Sequence, residues 1–222
     1  MQEAPPPRFA VFGGSFNPVH QGHLELIEAV LRSGAVEHLF TVPANRSPFK
    51  GGRELLPAAL RCEMLRAALR GMPRVSVLDL ELRRPPPSYT IDTVEALASL
   101  VPRARLSLVL GADAFVGFAG WHLAGRILAR ADLLVFGRED GEGPLPPDPA
   151  RWVAALPEPW RGAARPAEDG TLRDAAGRLL VRRMAAPIAP VSSTRIRAGG
   201  SLEQVPSGAR EVLRGYLAEH PR

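Results

Sequence analysis

The chain has 222 residues, of which 45% are hydrophobic and 23% charged, and its formal net charge at pH 7 is +5. These values are ordinary for a soluble globular protein. No apolar run approaches the roughly 18–20 residues that a membrane span needs, and the first residues lack the pattern of a secretory signal. The single cysteine, Cys62, excludes an internal disulfide and fits a reducing compartment. We therefore expect a cytoplasmic protein without a membrane partner.

Almost all of the positive charge is arginine, and Lys50 is the only lysine of the chain. The arginines are scattered and interleaved with acidic residues, and no DNA- or RNA-binding motif is present. A small anionic substrate explains the charge as well as a nucleic acid would, and without a binding motif we expect no nucleic acid partner. The single lysine marks a position where a compact point charge is of use.

The first half of the chain alternates between short apolar runs, which predict β-strands, and segments with apolar residues at helical spacing. In chain order we expect a strand at Arg8–Phe12, a helix at Gly22–Ser33, a strand at Val36–Val42, a loop at Asn45–Arg53, a helix at Pro57–Arg70, a strand at Val75–Leu82 and a proline-rich turn at Arg83–Ser88.

The second half begins with the same alternation and then changes in composition. We expect a helix at Ile91–Leu100, a strand at Leu106–Leu110, one or two helices within Ala114–Arg130, a strand at Leu133–Phe136, a hairpin or edge strand at Thr171–Arg183, and helices at Ser192–Arg197 and Gly208–Glu219. The intervening segment Glu139–Asp169 is rich in Pro, Gly, Asp and Ala. A lid, a partner surface and a flexible insertion remain open for it.

Alternating strands and helices indicate βαβ units, so we predict an α/β fold with a doubly wound, mostly parallel sheet and helices on both faces. We expect one domain over residues 1–222, with an insertion or lid at 139–169 and a small C-terminal helical part at 192–222. In such sheets a ligand binds beyond the carboxyl ends of the strands, at the point where the strand order reverses.

One segment of the chain carries most of the chemical information. Gly13–His23 reads GGSFNPVHQGH and lies between the first predicted strand and the first predicted helix. Glycines there let the backbone approach a phosphate without a Cβ in the way, and free N–H groups at the helix start favour an anion. His20 and His23 are three residues apart, so both can point from one face of the first turn. Two imidazole donors there can hold phosphoryl oxygens.

This string resembles the [HT]xGH signature of the nucleotidyltransferase superfamily, which has a Rossmann-like fold and transfers a nucleotide from a nucleoside triphosphate to a phosphate. The resemblance implies that His20 and His23 contact the triphosphate. Many members have Asp at the position of Asn17. The backbone of four residues is implied to cradle the phosphates of substrate and ATP: Gly13, Gly14, Ser15 and Phe16.

A second segment near the end of the chain extends the resemblance. Val191–Arg197 reads VSSTRIR and is similar to the superfamily's ISSTxIR signature. Ser193 and Thr194 are thereby implied to bind phosphate at another helix N-terminus, and Arg197 is implied to neutralise the pyrophosphate.

Further segments resemble nicotinate mononucleotide adenylyltransferases in particular. They are PSYTIDT at Pro87–Thr93, Gly111-Ala112-Asp113 followed by Trp121-His122, the loop PANRSPFK at Pro43–Lys50 with Phe49 where that family has histidine, and the closing segment Val205–Tyr216.

By this resemblance, Trp121 stacks on the nicotinate ring, Thr90 binds the nicotinate carboxylate, and Gly111 and Asp113 contact the ATP ribose. The acceptor-binding residues implied are Ser15, Asn45, Tyr89, Thr90, Trp121 and Arg138. The catalytic residues implied are His20, His23, Lys50 and Arg197.

The implied reaction joins AMP from ATP to nicotinate mononucleotide and releases pyrophosphate, which is a step of NAD biosynthesis. The attacking phosphate is already an anion, so no general base is needed. Mg²⁺ is expected to arrive with ATP, and no protein metal ligand is expected.

Two rivals come from the same superfamily: a phosphopantetheine adenylyltransferase, which usually shows TxGH, and a cytidylyltransferase. A non-catalytic nucleotide-binding protein is an alternative of another class. The sequence leaves open whether the chain forms a homo-oligomer, whether it prefers nicotinate or nicotinamide mononucleotide, and what Phe49 does.

Overall fold

The computed structural model describes residues 4–46, 56–137, 148–185 and 191–220, which contain one eight-stranded sheet. In chain order its strands are β1 (Arg8–Gly14), β2 (His38–Pro43), β3 (Val75–Val77), β4 (Arg105–Gly111), β5 (Ala131–Gly137), β6 (Arg165–Pro166), β7 (Thr171–Arg173) and β8 (Leu179–Ala185).

Eight α-helices accompany the sheet within those ranges. They are α1 (Gln21–Arg32), α2 (Ala58–Ala68), α3 (Thr90–Leu100), α4 (Ala112–Val116), α5 (Ala124–Arg130), α6 (Trp160–Ala163), α7 (Ser193–Arg197) and α8 (Ser207–Glu219). Short 3₁₀ helices lie at Phe118–Gly120, Pro149–Ala155 and Leu202–Gln204. None of the helices in these ranges is long and apolar enough to cross a membrane.

The strand order is β3-β2-β1-β4-β5-β8-β7-β6. The first six strands in this order pair in parallel, and β8-β7 and β7-β6 pair antiparallel. The order runs outward from β1 in one direction through β2 and β3, and in the other through β4 and β5. It therefore reverses between β1 and β4, as the predicted doubly wound, mostly parallel sheet requires.

The two faces of the sheet bury separate apolar cores because side chains alternate along each strand. On one face, Val11 and Leu108 pack with apolar residues of α3 and α5. On the other face, Phe12 and Val109 pack with apolar residues of α1, α2 and α8. The predicted arrangement with helices on both faces is therefore confirmed.

The α8 helix lies directly against α2. A Cβ at Gly208, near the start of α8, would lie 2.8 Å from the carbonyl oxygen of Ala67 in α2. That approach is possible only for glycine. The C-terminal helical part is thus packed on the main sheet through α2.

One predicted strand is shorter in the structure, and one segment with two predicted possibilities adopts one of them. The strand expected at Val75–Leu82 ends at Val77, and the chain then turns, with the Leu82 N–H donating to the Asp79 carbonyl. Leu78 and Leu80 are half-buried and still pack against the core, so packing beyond the end of the strand produces the alternation that predicted a longer strand. Of the hairpin or edge strand expected at Thr171–Arg183, the structure has the hairpin, as β7 and β8, and β8 lies inside the sheet beside β5.

The described part of the 139–169 segment, residues 148–169, is packed on the sheet. Trp152 is only 1% exposed, and Leu156 and Ala164 join it in the same core as α3 and α5. Trp160 donates its indole N–H to the carbonyl of Gly125, at 2.9 Å. This part of the segment therefore covers one end of the core.

Asp132 at the start of β5 makes the stability of the fold depend on pH. It lines a cavity of about 220 Å³ that Ser107, Arg105 and Arg182 also line. Burial raises the pKa of the Asp132 carboxyl to about 6, against the opposing effects of a hydrogen bond from Ser107 and of nearby arginines. Between its ordinary pKa and this value the folded state binds more protons than the unfolded state, so stability falls as pH rises through that window.

We therefore expect Asp132→Asn to be more stable than the wild type above pH 7, by at most roughly 2–3 kcal/mol. The difference should vanish near pH 4, where the carboxyl is protonated in the folded chain. Denaturant unfolding at several pH values measures it. A variant that is less stable than the wild type at neutral pH would contradict the assignment.

Asp169→Asn is the control with the opposite sign. A hydrogen bond from Thr171 and another from Arg173 lower the pKa of Asp169 to about 2. Its contribution is therefore present above its ordinary pKa and lost as pH falls towards 2. The Asp169→Asn variant should be the less stable protein at neutral pH.

Candidate active site

A cavity of about 770 Å³ opens where the strand order reverses, beyond the carboxyl ends of β1 and β4. This is the position at which open α/β sheets bind their ligands. Seven residues predicted from the sequence line it: Gly13, Gly14, Ser15, Tyr89, Thr90, Asp113 and Trp121.

The loop after β1 turns sharply at Phe16. Its backbone has φ = 42°, which is unusual for a bulky side chain. The Phe16 ring is buried beneath the loop and packs edge-on against Phe12 and His23, at centroid distances of 5.5 and 5.0 Å. A Cβ at Gly14 would lie 3.1 Å from this ring, so a larger residue there would require the ring to shift by a few tenths of an ångström. Phe16 can offer its backbone, but not its ring, to a ligand in the cavity.

His20 and His23 lie together at the start of α1. Their rings are stacked, with centroids 3.6 Å apart and an interplanar angle of 20°. The backbone N–H of His20 donates to Nδ1 of His23 at 3.1 Å. Because Nδ1 accepts a hydrogen bond, a neutral His23 carries its proton on Nε2. The fold thereby selects the tautomer of His23 that offers a donor at the outer end of the ring.

The α7 helix joins this loop from the other end of the chain. Ser193 Oγ donates to the carbonyl of Pro18 at 3.0 Å. Arg197 donates to the carbonyl of Asn17 and, at 3.1 Å, to that of Ser193. Its other guanidinium nitrogen lies 3.4 Å from the exposed Thr194 hydroxyl. The two signature segments, about 175 residues apart, are therefore in direct contact.

The opposite wall of the cavity carries aromatic side chains and the start of α3. Trp121 is half-buried and packs against Phe118, with ring centroids 5.5 Å apart. Tyr89 lies against His122 at 4.3 Å. Thr90 is the first residue of α3, and the first N–H groups of an α-helix lack intrahelical partners. A flat aromatic ring with a carboxylate fits such a wall.

A buried carboxylate that the sequence reasoning did not select lies behind this wall. Glu81 is 6% exposed and lines the cavity. Burial raises the pKa of the Glu81 carboxyl above its usual value, and hydrogen bonds from the Thr93 and Ser88 hydroxyls oppose the rise. The Thr93 contact is 2.6 Å, and Arg84 donates to the same hydroxyl at 2.7 Å. Glu81 therefore braces the segment that carries Tyr89 and Thr90.

Arg61 in α2 was also missed, and it is the more informative residue. It is 1% exposed, and its guanidinium donates to three backbone carbonyls. These belong to Ser15 at 2.5 Å, Asn45 at 3.0 Å and Leu56 at 3.0 Å. Burial lowers the pKa of Arg61 below its usual value. No local sequence signal distinguishes it from the other arginines of this arginine-rich chain.

The remaining predicted residues are not among the described residues that line the cavity. Lys50, Phe49 and Arg138 are outside the described residues. Gly111 is exposed at the end of β4, next to the cavity wall that Leu110 and Asp113 form. The Asn45 side chain donates to the carbonyl of Arg84 at 3.0 Å, so it braces a neighbouring turn. The histidines, Ser193, Thr194 and Arg197 surround the loop beside the cavity and are not among the residues that line it.

The chain is also similar to a known family and to known proteins. The model of the cytidylyltransferase-like family matches residues 11–199. A probable nicotinate-nucleotide adenylyltransferase from Porphyromonas gingivalis is 40% identical over 139 residues, which are 61% of this chain and 71% of that protein. One from Pseudomonas putida is 40% identical over 149 residues, 67% of each chain. One from Symbiobacterium thermophilum is 41% identical over 52% of this chain and 55% of its own length.

The fold also has a solved counterpart. Plasmodium falciparum nicotinic acid mononucleotide adenylyltransferase, solved in complex with NaAD, superposes with a TM-score of 0.69. The alignment covers 95% of this chain and 96% of that one, at 13% identity. At that identity the likeness establishes the shared fold.

The two arginines of α7 allow a matched test of the site. We expect Arg197→Met to weaken MgATP binding roughly 10- to 150-fold, because a hydrogen bond to a charged group contributes about 1.5–3 kcal/mol. Arg195 lies two residues earlier, is exposed, and has no side-chain hydrogen bond or ion pair within the described ranges. Arg195→Met should therefore bind MgATP as the wild type does. Isothermal titration calorimetry measures both, and equal affinities in the two variants would remove Arg197 from the site.

Proposed function

Because the chain belongs to the cytidylyltransferase-like family, and within it to the nicotinate-nucleotide adenylyltransferases, we propose that it transfers the adenylyl group of ATP to nicotinate mononucleotide. The products are nicotinate adenine dinucleotide and pyrophosphate, so the reaction is a step of NAD biosynthesis. The observation that carries the proposal is the contact of α7 with the loop before α1, beside a cavity with an aromatic wall. The groups that we assign to the triphosphate thus lie beside the cavity whose wall we assign to the nicotinate ring.

In this reaction the 5′-phosphate of nicotinate mononucleotide attacks the α-phosphorus of ATP in line. A bond forms between the α-phosphorus and an oxygen of the attacking phosphate. The bond between the α-phosphorus and the oxygen that bridges it to the β-phosphorus breaks at the same time, and pyrophosphate leaves with that electron pair. The nucleophile is already an anion, so no side chain has to remove a proton. Catalysis then consists of holding two polyanions in line and stabilising the charge that moves to pyrophosphate.

The described residues supply such groups. His23 presents Nε2–H, since its Nδ1 is used by the backbone of His20. Arg197 is held beside the same loop by its contacts with Asn17 and Ser193. We assign the triphosphate to His20, His23, Ser193, Thr194 and Arg197, and the nicotinate ring to the wall at Trp121.

Magnesium enters the proposal as part of the substrate MgATP. Mg²⁺ keeps several waters and is commonly bound through substrate phosphates. We propose that the triphosphate oxygens are its main ligands here. We also propose a cytoplasmic location, where a free thiol such as buried Cys62 persists.

The acceptor assay separates this proposal from its rivals. The protein is incubated with ATP and, separately, nicotinate mononucleotide, nicotinamide mononucleotide or phosphopantetheine, and with CTP in place of ATP. Pyrophosphate release is measured in each case. We expect the highest kcat/KM with ATP and nicotinate mononucleotide. Binding of ATP without pyrophosphate release from any acceptor would identify a non-catalytic nucleotide-binding protein.

His23→Ala tests the triphosphate assignment. Removing one donor to the transition state costs about 2.7–4 kcal/mol, so we expect turnover to fall roughly 100- to 1,000-fold. The circular dichroism spectrum and melting temperature show whether the fold is retained. A folded variant with wild-type turnover would remove His23 from the catalytic site.

Trp121→Ala tests the ring-binding wall. Stacking of a base on an aromatic side chain is worth about 1–3 kcal/mol, so KM for nicotinate mononucleotide should rise roughly 5- to 150-fold. The KM for ATP in the same variant is the internal control and should change little. A parallel rise of both constants would show a general loss of structure and would contradict a specific role in acceptor binding.

A further inference from the structure

A continuous chain of hydrogen bonds joins the two sides of the cavity. On the acceptor side, the Ser88 hydroxyl accepts a hydrogen bond from the backbone N–H of Asn45 at 3.1 Å. The carbonyl of Asn45 accepts from Arg61 at 3.0 Å. On the triphosphate side, Arg61 donates to the carbonyl of Ser15 at 2.5 Å.

The two ends of this chain of hydrogen bonds belong to different walls. Ser15 is in the loop after β1, and Ser88 directly precedes Tyr89 and Thr90. Both Ser15 and Ser88 line the cavity. The connection is short because a single guanidinium reaches both Ser15 and Asn45, and its planar fork fixes the directions of its donors.

Arg61 is itself held firmly. Its Nε donates to the carbonyl of Leu56. The N–H of Leu56 in turn donates to the side-chain oxygen of Asn17 at 3.0 Å. Within the described ranges it forms no ion pair with a carboxylate, and its recorded acceptors are backbone carbonyls. A buried arginine used in this way sets distances between backbone segments.

We infer that Arg61 is a positioning residue that fixes the distance between the loop after β1, which contains Ser15, and the cavity wall that contains Tyr89 and Thr90. The inference rests on the proposed function, because in-line attack requires the attacking oxygen of the acceptor phosphate to be held about 3–3.5 Å from the α-phosphorus. Each substrate still binds when Arg61 is lost, but the two are no longer held in line.

This role has a kinetic signature that general destabilisation does not have. An error of about 1 Å in the relative position of reacting groups can cost roughly 100-fold in rate. We therefore expect Arg61→Met to lower kcat about 100-fold, while the dissociation constants of nicotinate mononucleotide alone and of MgATP alone, measured by calorimetry, change less than about threefold. Arg61→Lys keeps the charge but loses the fork, so it should not restore kcat.

Arg66→Met is the matched control. Arg66 lies in the same helix, its side chain is 53% exposed, and it pairs with Asp79 at 3.6 Å. We expect this variant to keep wild-type kcat, since exposed ion pairs contribute little.

Ser88→Ala interrupts the same chain of hydrogen bonds at its other end and removes no charged group. We expect about a tenfold loss of kcat, the value of one hydrogen bond. Both variants break the same connection. The kcat of the double variant Arg61→Met/Ser88→Ala should therefore lie within about threefold of the kcat of Arg61→Met alone. If Arg61→Met does not melt cooperatively, Arg61→Lys and Ser88→Ala carry the test.

Four outcomes overturn the inference: wild-type kcat in folded Arg61→Met, restoration of kcat by Arg61→Lys, wild-type kcat in Ser88→Ala, or independent, multiplicative losses in the double variant. A wild-type protein that makes no dinucleotide from ATP and nicotinate mononucleotide would instead refute the proposed function, and this inference with it. Turnover by the wild type with unaltered variants would refute the inference alone.

Discussion

The site depends on where the carbonyl oxygens of the loop after β1 point. The carbonyls of Gly14, Ser15, Asn17 and Pro18 all accept hydrogen bonds from outside the loop. A carbonyl oxygen that faced a triphosphate would repel it, whereas a backbone N–H attracts it. Anchoring these oxygens elsewhere leaves the loop suited to an anion. The donors are the backbone of Ala44 and the side chains of Arg61, Arg197 and Ser193.

These donors come from three separate parts of the chain, and the parallel sheet brings them together. Because β1 and β2 run in parallel, the residues that follow them emerge at the same edge, which places Ala44 and Asn45 beside the loop. The helix α2, which carries Arg61, follows β2 on the face that also holds α1 and α8. The return of the chain through β8 places α7 at this same edge. Loss of any one donor would leave a carbonyl free to turn towards the ligand.

Sequence patterns predicted most of the strands and helices because each pattern is local. The helix at α1 and the buried strand at β4 are examples, since apolar spacing directly reflects the face that becomes buried. The prediction was wrong at the end of β3, where Leu78 and Leu80 are half-buried beyond the end of the strand. An alternating pattern reports burial, and it does not report whether the backbone has a neighbouring strand to pair with.

Prediction of the site followed the same division. Glycines and paired histidines before a helix indicate His20 and His23, and the resemblance to a known signature implies Ser193 and Arg197. No such signal marks Arg61 or Glu81, because nothing near them in the sequence shows that they are buried. Arg61 is one of many arginines, and its importance arises from three carbonyls supplied by Ser15, Asn45 and Leu56.

The sequence by itself thus determined the class of fold and, through its resemblance to known signatures, the family. The class of fold follows from residue type and spacing along the chain. The tertiary structure decided which walls meet, which tautomer His23 adopts and which buried side chains hold the loop in place. These features depend on distances between residues remote in the chain, and such distances are set only when the sheet closes its two cores.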